Sequence, residues 1–269
     1  MRNRVYFTVV FSALILIFSS CKFRKIEKSE DWRVKYEAAL SYYEEEEYYK
    51  ASVLFEQILP IVRGLPEGED VQFSLAYCNY HQGLYILASH YFKSFYETYG
   101  RSSKVLEARY MYAYSLYADS PETHLEQSST MEAINSMQNF INKYPTNEFR
   151  DDADTIIMEL QKKLELKGYQ NAMQYYKLRM YTAAVLALKN FQYEFPDSKL
   201  NEEAGYFRIM AQYQYARQSI SSKQVERYSE VRSFYETFID QYPKSEYIKQ
   251  AEKAYEEALE KIQVLAKNK

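Results

Sequence analysis

The chain has 269 residues, with six glycines, six prolines, thirty tyrosines and fifteen phenylalanines, and its formal charge is −3. So few glycines and prolines leave little for the turns of a sheet protein, which argues for helices. Acidic and basic residues are mixed along the chain, so the basic field that nucleic acid requires is missing and no nucleic-acid partner is expected.

The first twenty residues stand apart from the rest of the chain. Arg2 and Arg4 precede an apolar run from Val5 to Phe18, which ends in Ser19, Ser20 and Cys21. A basic start, a short apolar core and small residues describe a secretory signal over residues 1–20. The run is too short and too poorly flanked for a permanent spanning helix. Phe18-Ser19-Ser20-Cys21 resembles a bacterial lipobox, although Phe18 stands where Leu is commoner. Cys21 is therefore the expected attachment point of a diacylglycerol and a fatty acyl chain, and no other cofactor is expected. The alternative is an ordinary signal peptide with an incidental cysteine. Cys78 is the one other cysteine, so acylation of Cys21 excludes an intramolecular disulfide. Residues 21–31 form a tether in which Lys22, Arg24, Lys25 and Lys28 stand against Glu27. Its charge either favours an anionic lipid surface or marks a solvated spacer.

From residue 32 onward the chain repeats itself. An aromatic residue, a short gap and a helix stop recur as FYETYG (Phe95 to Gly100), FINKYP (Phe140 to Pro145), FQYEFP (Phe191 to Pro196) and FIDQYP (Phe238 to Pro243). Each stop is followed by an alanine, at Ala108, Ala153, Ala204 and Ala251. Each phrase ends one helix, turns the chain and starts another, the signature of a repeat array. The second helix of each of five hairpins carries a small residue, Ala51, Ala88, Ala133 or Ala184, with Val231 in the last copy; Ala39, Ala76 and Ala172 sit in the preceding helices of the first, second and fourth. Small side chains there let paired helices approach, and this is the tetratricopeptide pattern. Five hairpins are expected at about 32–63, 69–100, 106–145, 165–196 and 204–243, with a terminal helix from Lys244 to Lys267. The third and fifth copies are longer, and the surplus falls in DSPETHLEQSS and RQSISSKQVER, expected as long loops. The expected fold is all-α: a right-handed α-solenoid of about five tetratricopeptide-like hairpins plus a C-terminal capping helix.

These features together resemble the BamD family of outer-membrane assembly lipoproteins. FIDQYPKSEYIKQA (Phe238 to Ala251) fits the family phrase F-I-x-x-Y-P-x-S-x-Y-x-x-x-A throughout. EQSSTMEAINSMQNFINKYPTNEFRDDA (Glu126 to Ala153) is similar, with Asn147 replacing the serine, and FPDSKLNEEA (Phe195 to Ala204) fits except at Leu200. The resemblance implies a lipoprotein subunit of the β-barrel assembly machinery, facing the periplasm at the outer membrane. It implies two partners: the periplasmic domains of the barrel assembly protein and unfolded β-barrel substrates. The membrane is reached through the lipid anchor. The alternative is a tetratricopeptide adaptor of another envelope complex, a class that often lacks a lipobox and carries a coiled-coil segment.

No enzymatic chemistry is expected. The histidines are His81, His90 and His124; His81 and His90 are not spaced to share a helix face, which argues against a metal pair. No glycine-rich phosphate loop and no G-x-S-x-G occurs. The run Glu44 to Glu47 falls where the first hairpin turns and reads as a solvated corner. The groove positions of the first helices are more informative. They are Tyr36, Leu40 and Tyr43, then Phe73, Tyr77 and Tyr80, then Tyr110, Tyr114 and Tyr117, eight of nine aromatic. In the last two repeats the same frame gives Tyr169, Met173, Tyr176, Arg208, Gln212 and Tyr215, three of six. The candidate substrate groove is therefore Tyr36, Tyr43, Phe73, Tyr77, Tyr80, Tyr110, Tyr114 and Tyr117 in residues 32–145, and the resemblance implies that residues 146–269 dock on the assembly partner. The competing reading is that these rings only pack between hairpins.

Overall fold

The computed structural model describes residues 22–267. The expected signal segment and Cys21 lie outside the described residues. After a short helical segment at residues 22–27, eleven helices succeed one another, and no strand occurs among the described residues. They are α1 (Trp32–Glu44), α2 (Tyr48–Val62), α3 (Glu67–His81), α4 (Tyr85–Thr98), α5 (Val105–Ala118), α6 (Ser128–Lys143), α7 (Arg150–Lys177), α8 (Tyr181–Glu194), α9 (Asn201–Arg217), α10 (Ser221–Gln241) and α11 (Ile248–Lys267). The chain divides into two compact units, after Leu160. Within each unit successive helices pack on one another, and first helices also meet across hairpins, α1 on α3 and α9 on α11. This is the arrangement of tetratricopeptide-like repeats.

Two turn chemistries, used repeatedly, hold this order. Inside three hairpins the helix closes through a left-handed residue: Glu46 at φ 59°, Gly83 at φ 74° and Arg179 at φ 60°. Their N–H groups donate to the carbonyls of Tyr43, Tyr80 and Tyr176 at 3.1, 2.9 and 2.9 Å. The next N–H groups, on Glu47, Leu84 and Met180, reach back to Tyr42, Asn79 and Tyr175 at 2.8, 2.9 and 2.9 Å. This paired bonding satisfies carbonyls that a helix end would otherwise leave open. Between hairpins a short polar side chain accepts from the backbone two residues on. Ser102 bonds Lys104 at 3.0 Å, Ser198 bonds Leu200 at 3.0 Å and Ser245 bonds Tyr247 at 3.1 Å. Asn147 does the same for Phe149 at 2.8 Å, so the residue that departs from the serine pattern keeps its function.

The marker alanines are the points of closest approach. Ala39, Ala51, Ala88, Ala108, Ala133, Ala153, Ala184, Ala204 and Ala251 are all fully buried. Three differences from the expected layout have clear causes. The fourth hairpin begins earlier than residue 165, because α7 is continuous from Arg150. Its Ala153, Ile156, Ile157 and Leu160 complete the first unit's core, whereas Tyr169, Ala172 and Met173 serve the second. RQSISSKQVER is not a long loop: α9 runs to Arg217, α10 starts at Ser221, and the extra residues lengthen a helix. Burial of Tyr228 and Val231, and the Gln212 bonds to the Arg227 carbonyl (3.1 Å) and Glu230 Oε2 (2.6 Å), fix that added length on α9. DSPETHLEQSS is a loop, tied down by buried Gln127, which donates to the carbonyls of Glu122 (2.8 Å) and Leu125 (3.0 Å). Finally, the tether is not a bare spacer. Residues 22–27 are helical, Phe23 and Ile26 pack on the first hairpin, and Phe23 meets Tyr42 edge-on at 5.8 Å.

Candidate functional site

The eight candidate groove residues fall into three groups. Tyr110 belongs to the core, and half-buried Phe73 packs against it. Phe73 is enclosed by Phe95 (5.0 Å), Tyr77 (5.2 Å) and Phe92 (6.1 Å). Tyr110 is buried, stacked on Phe149 at 4.3 Å with 11° between planes, and its hydroxyl donates to Asp152 of α7. Tyr77 and Tyr117 are half-buried links between successive first helices: Tyr77 donates to Glu107 of α5, and Tyr117 to Glu159 of α7 at 2.9 Å.

The remaining four are half-buried too, and their ring contacts set them apart. Tyr36 lies beside Trp32 at 6.4 Å. Tyr43, Tyr80 and Tyr114 form a line with residues that sequence reasoning sets aside or misses. Tyr43 meets Tyr48 at 5.7 Å, and Tyr48 stacks on His81 at 4.4 Å. His81 in turn contacts Tyr77 (6.0 Å) and Tyr80 (5.6 Å), Tyr80 meets Tyr114 at 6.0 Å, and Tyr114 meets Tyr117 at 5.5 Å. Tyr48 opens a second helix, so a pattern restricted to first helices passes over it.

Tyr43 and Tyr80 present neutral phenol donors along this line. Burial pushes the phenols of Tyr43 and Tyr80 up to about 12. Burial, then the hydrogen bonds to Glu107 and Asp152, push Tyr77 and Tyr110 beyond the ordinary phenol range. None supplies a base near neutral pH. Such a strip offers aromatic area and hydroxyl donors, which suits a polypeptide with exposed rings and carbonyls. Cys78 is buried and its thiol is pushed up to about 12 by that burial, the setting of an inert packing residue. Among the described residues no His, Cys, Asp and Glu group is arranged to hold a metal ion, and no helix is long and apolar enough to cross a membrane.

The second unit repeats the same joint. Tyr206 stacks on Tyr247 at 4.7 Å and 14°, and its hydroxyl donates to Gln250 at 2.7 Å; Tyr213 donates to Glu257. Counted from the marker alanines, these residues match Tyr110, Phe149, Asp152, Tyr117 and Glu159. The frame in the fifth repeat thus moves by two residues, from Arg208, Gln212 and Tyr215 to Tyr206, Met210 and Tyr213. Gln212 is buried, and Tyr215 lies under the Arg227 guanidinium at 4.0 Å.

Repeated helical hairpins with a shared aromatic joint are the geometry to set beside known proteins. A family model described as outer membrane lipoprotein, YfiO, matches residues 29–185 and again 167–266. The chain belongs to this family, that of the BamD outer-membrane lipoproteins. Comparison with curated proteins gives no match. Membership in the YfiO family connects the chain with the outer membrane and with its assembly machinery, and the family is not known as enzymatic.

Proposed function

We propose that the protein is a lipid-anchored scaffold subunit of the β-barrel assembly machinery, held at the periplasmic face of the outer membrane by diacylglycerol and fatty acyl chains on Cys21. Its partners are the periplasmic domains of the barrel assembly protein and unfolded β-barrel substrates. The first unit receives substrate along the line from Tyr43 through Tyr48 and His81 to Tyr80 and Tyr114, and the second unit docks on the assembly protein. Family membership over residues 29–266 carries this reading, and the ring line supplies the chemistry for substrate. Barrel strands alternate apolar and polar side chains, carry aromatic residues toward their ends and expose their backbone while unfolded, and a strip of rings and phenol donors complements both.

Two measurements test it. A Cys21→Ala variant leaves the membrane fraction; retention there with unchanged processing refutes the anchor. A Tyr80→Ala, Tyr114→Ala double variant loses at least tenfold affinity for a peptide of a terminal barrel strand, since each truncated ring contributes about 1–3 kcal/mol. It still co-purifies with the assembly protein. Intact peptide binding with lost capture of that protein would assign the two units the wrong way round.

A further inference from the structure

The second unit holds a cleft of about 690 Å³ between α8, α9 and α10. Arg208 of α9 lines it, with its guanidinium carbon over the Phe234 ring at 4.0 Å from the centroid. The environment of this cation is incomplete. Its Nε is buried without a hydrogen-bond partner, and Nη1 reaches only the neutral Gln192 Oε1, at 3.5 Å. Among the described residues no carboxylate pairs with it within 4.0 Å; the nearby Glu230 accepts from Gln212 at 2.6 Å instead. Burial pulls the guanidinium below its ordinary pKa, the mark of a charge insufficiently neutralised.

A second unmet group shares the cleft. Asn201 spends both amide hydrogens on the carbonyls of Phe195 (2.7 Å) and Pro196 (2.9 Å), which leaves its buried Oδ1 without a partner. Gly205 lies beside them, where a Cβ would stand 3.0 Å from the Phe238 ring. The cleft is therefore lined by a cation without an ionic partner and by a residue with an unmet acceptor, and Gly205 lets the Phe238 ring pack close beside them. Exposed Tyr193 stands at its rim.

We infer that this cleft is a carboxylate pocket that takes an acidic side chain of a partner polypeptide. The carboxylate pairs with the guanidinium of Arg208, which lies over Phe234, and a neighbouring amide N–H satisfies Asn201. A free small anion meets the first requirement and not the second. One guanidinium with a single rim lysine, Lys189, matches one negative charge better than a phosphate dianion. The inference rests on the partner-docking reading of this unit only for the partner's identity.

The probe is a dye-labelled pentapeptide, acetyl-Ala-Tyr-Glu-Tyr-Ala-amide, titrated against the full mature chain by fluorescence anisotropy, with the Gln version as its pair. The Glu peptide binds saturably, and the Gln peptide binds at least tenfold more weakly. Arg208→Gln lowers Glu-peptide affinity about ten- to a hundredfold, as expected for a lost charged hydrogen bond. Arg208→Lys keeps the charge without the fork and loses affinity too; it decides the matter if Arg208→Gln fails to fold. Equal binding of both peptides, no saturable binding of the Glu peptide, or full affinity in the Lys variant overturns the pocket. Competition by acetate or inorganic phosphate as strong as by unlabelled peptide overturns the polypeptide assignment. Membrane fractionation of the Cys21→Ala variant is independent of all these outcomes, so this inference and the anchoring proposal fail separately.

Discussion

The two units build the same joint from different residues. In the first, Tyr110 stacks on Phe149 and donates to the carboxylate of Asp152; in the second, Tyr206 stacks on Tyr247 and donates to the amide of Gln250. Ring stacking and the donated hydrogen bond are common to both, while the acceptor's charge is not. Much of the chain's wealth of tyrosine is thus structural, because a phenol spans from one first helix to the next and ends in a hydrogen bond. The units differ at the residue between the paired tyrosines: Tyr114 in the first, Met210 in the second. At that position the first unit carries Tyr114 against Tyr80, with His81 beside it, whereas the counterpart of Tyr80 in the second unit, Tyr176, meets Phe207 at 5.0 Å instead.

The largest test of the equivalence truncates the same core ring in each unit. Phe140 and Phe238 are nearly fully buried at matching positions, and Phe140→Ala and Phe238→Ala should each destabilise by about 3–5 kcal/mol. Hydrogen exchange should place the loss of protection in the unit that carries the change. A variant that loosens both units equally would show that they do not behave as separate cores.

Raising the pH should separate the units next. A phenol with a raised folded pKa favours the neutral form in the fold, so its contribution is complete below the ordinary value of about 10 and is lost as pH climbs through the folded value. In the first unit burial lifts Tyr43, Tyr80 and Tyr96 to about 12, and lifts Tyr77 and Tyr110 still further. Tyr169 and Tyr213 are the strongly shifted counterparts in the second. Stability followed by circular dichroism should stay flat from about pH 7 to 9 and fall above about 10, with the first unit leading in hydrogen exchange. Equal losses in the two units would mean that these buried phenols do not distinguish them.

The architecture is legible in the sequence because its signals are local. A helix stop, a short polar side chain after it and a marker alanine recur with little change, and each acts through the backbone next to it. Asn147 illustrates the strength of that logic, since it departs from serine in type and not in bonding. The added turns of α10 are not legible, because RQSISSKQVER is polar and helical together, and only packing of Tyr228 on α9 fixes its state. Reading that segment as a loop shifts the fifth-repeat frame and exaggerates the contrast in aromatic content between the units. Whether a tyrosine faces a ligand or a neighbouring helix is equally hidden. Tyr77 and Tyr80 look alike in sequence, but Tyr77 packs on Phe73 and Phe92 and bonds Glu107, whereas Tyr80 meets Tyr85 and Tyr114.

A smaller effect distinguishes the turns. Gly83 suits its left-handed backbone, whereas Glu46 and Arg179 occupy the same conformation with a side chain. Glu46→Gly and Arg179→Gly should each stabilise by up to about 1 kcal/mol, and Gly83→Ala should destabilise by about 1 kcal/mol. Thermal melts of the three variants check the signs. Stabilisation by Gly83→Ala would show that the paired turns are not equivalent.

The smallest and sharpest test exchanges the joint's acceptors. Asp152 is exposed, so its charge is partly screened, and Asp152→Asn should lose about 0.5–1 kcal/mol by turning a charge-assisted bond into a neutral one. The reverse change does not simply gain that amount. Tyr247, stacked in the second joint, already feels Glu203, Glu246 and Glu202, so a carboxylate at position 250 would enter an acidic neighbourhood. Gln250→Glu should therefore be neutral or slightly destabilising at low salt and recover as ionic strength screens the repulsion. A double-mutant cycle with Tyr206→Phe isolates the hydrogen bond from this background. The coupling energy should be larger in the Gln250→Glu background than with the native Gln250, even where the single variant shows no net gain. Equal coupling with either acceptor would mean that stacking on Tyr247, and not the acceptor, holds the second joint together.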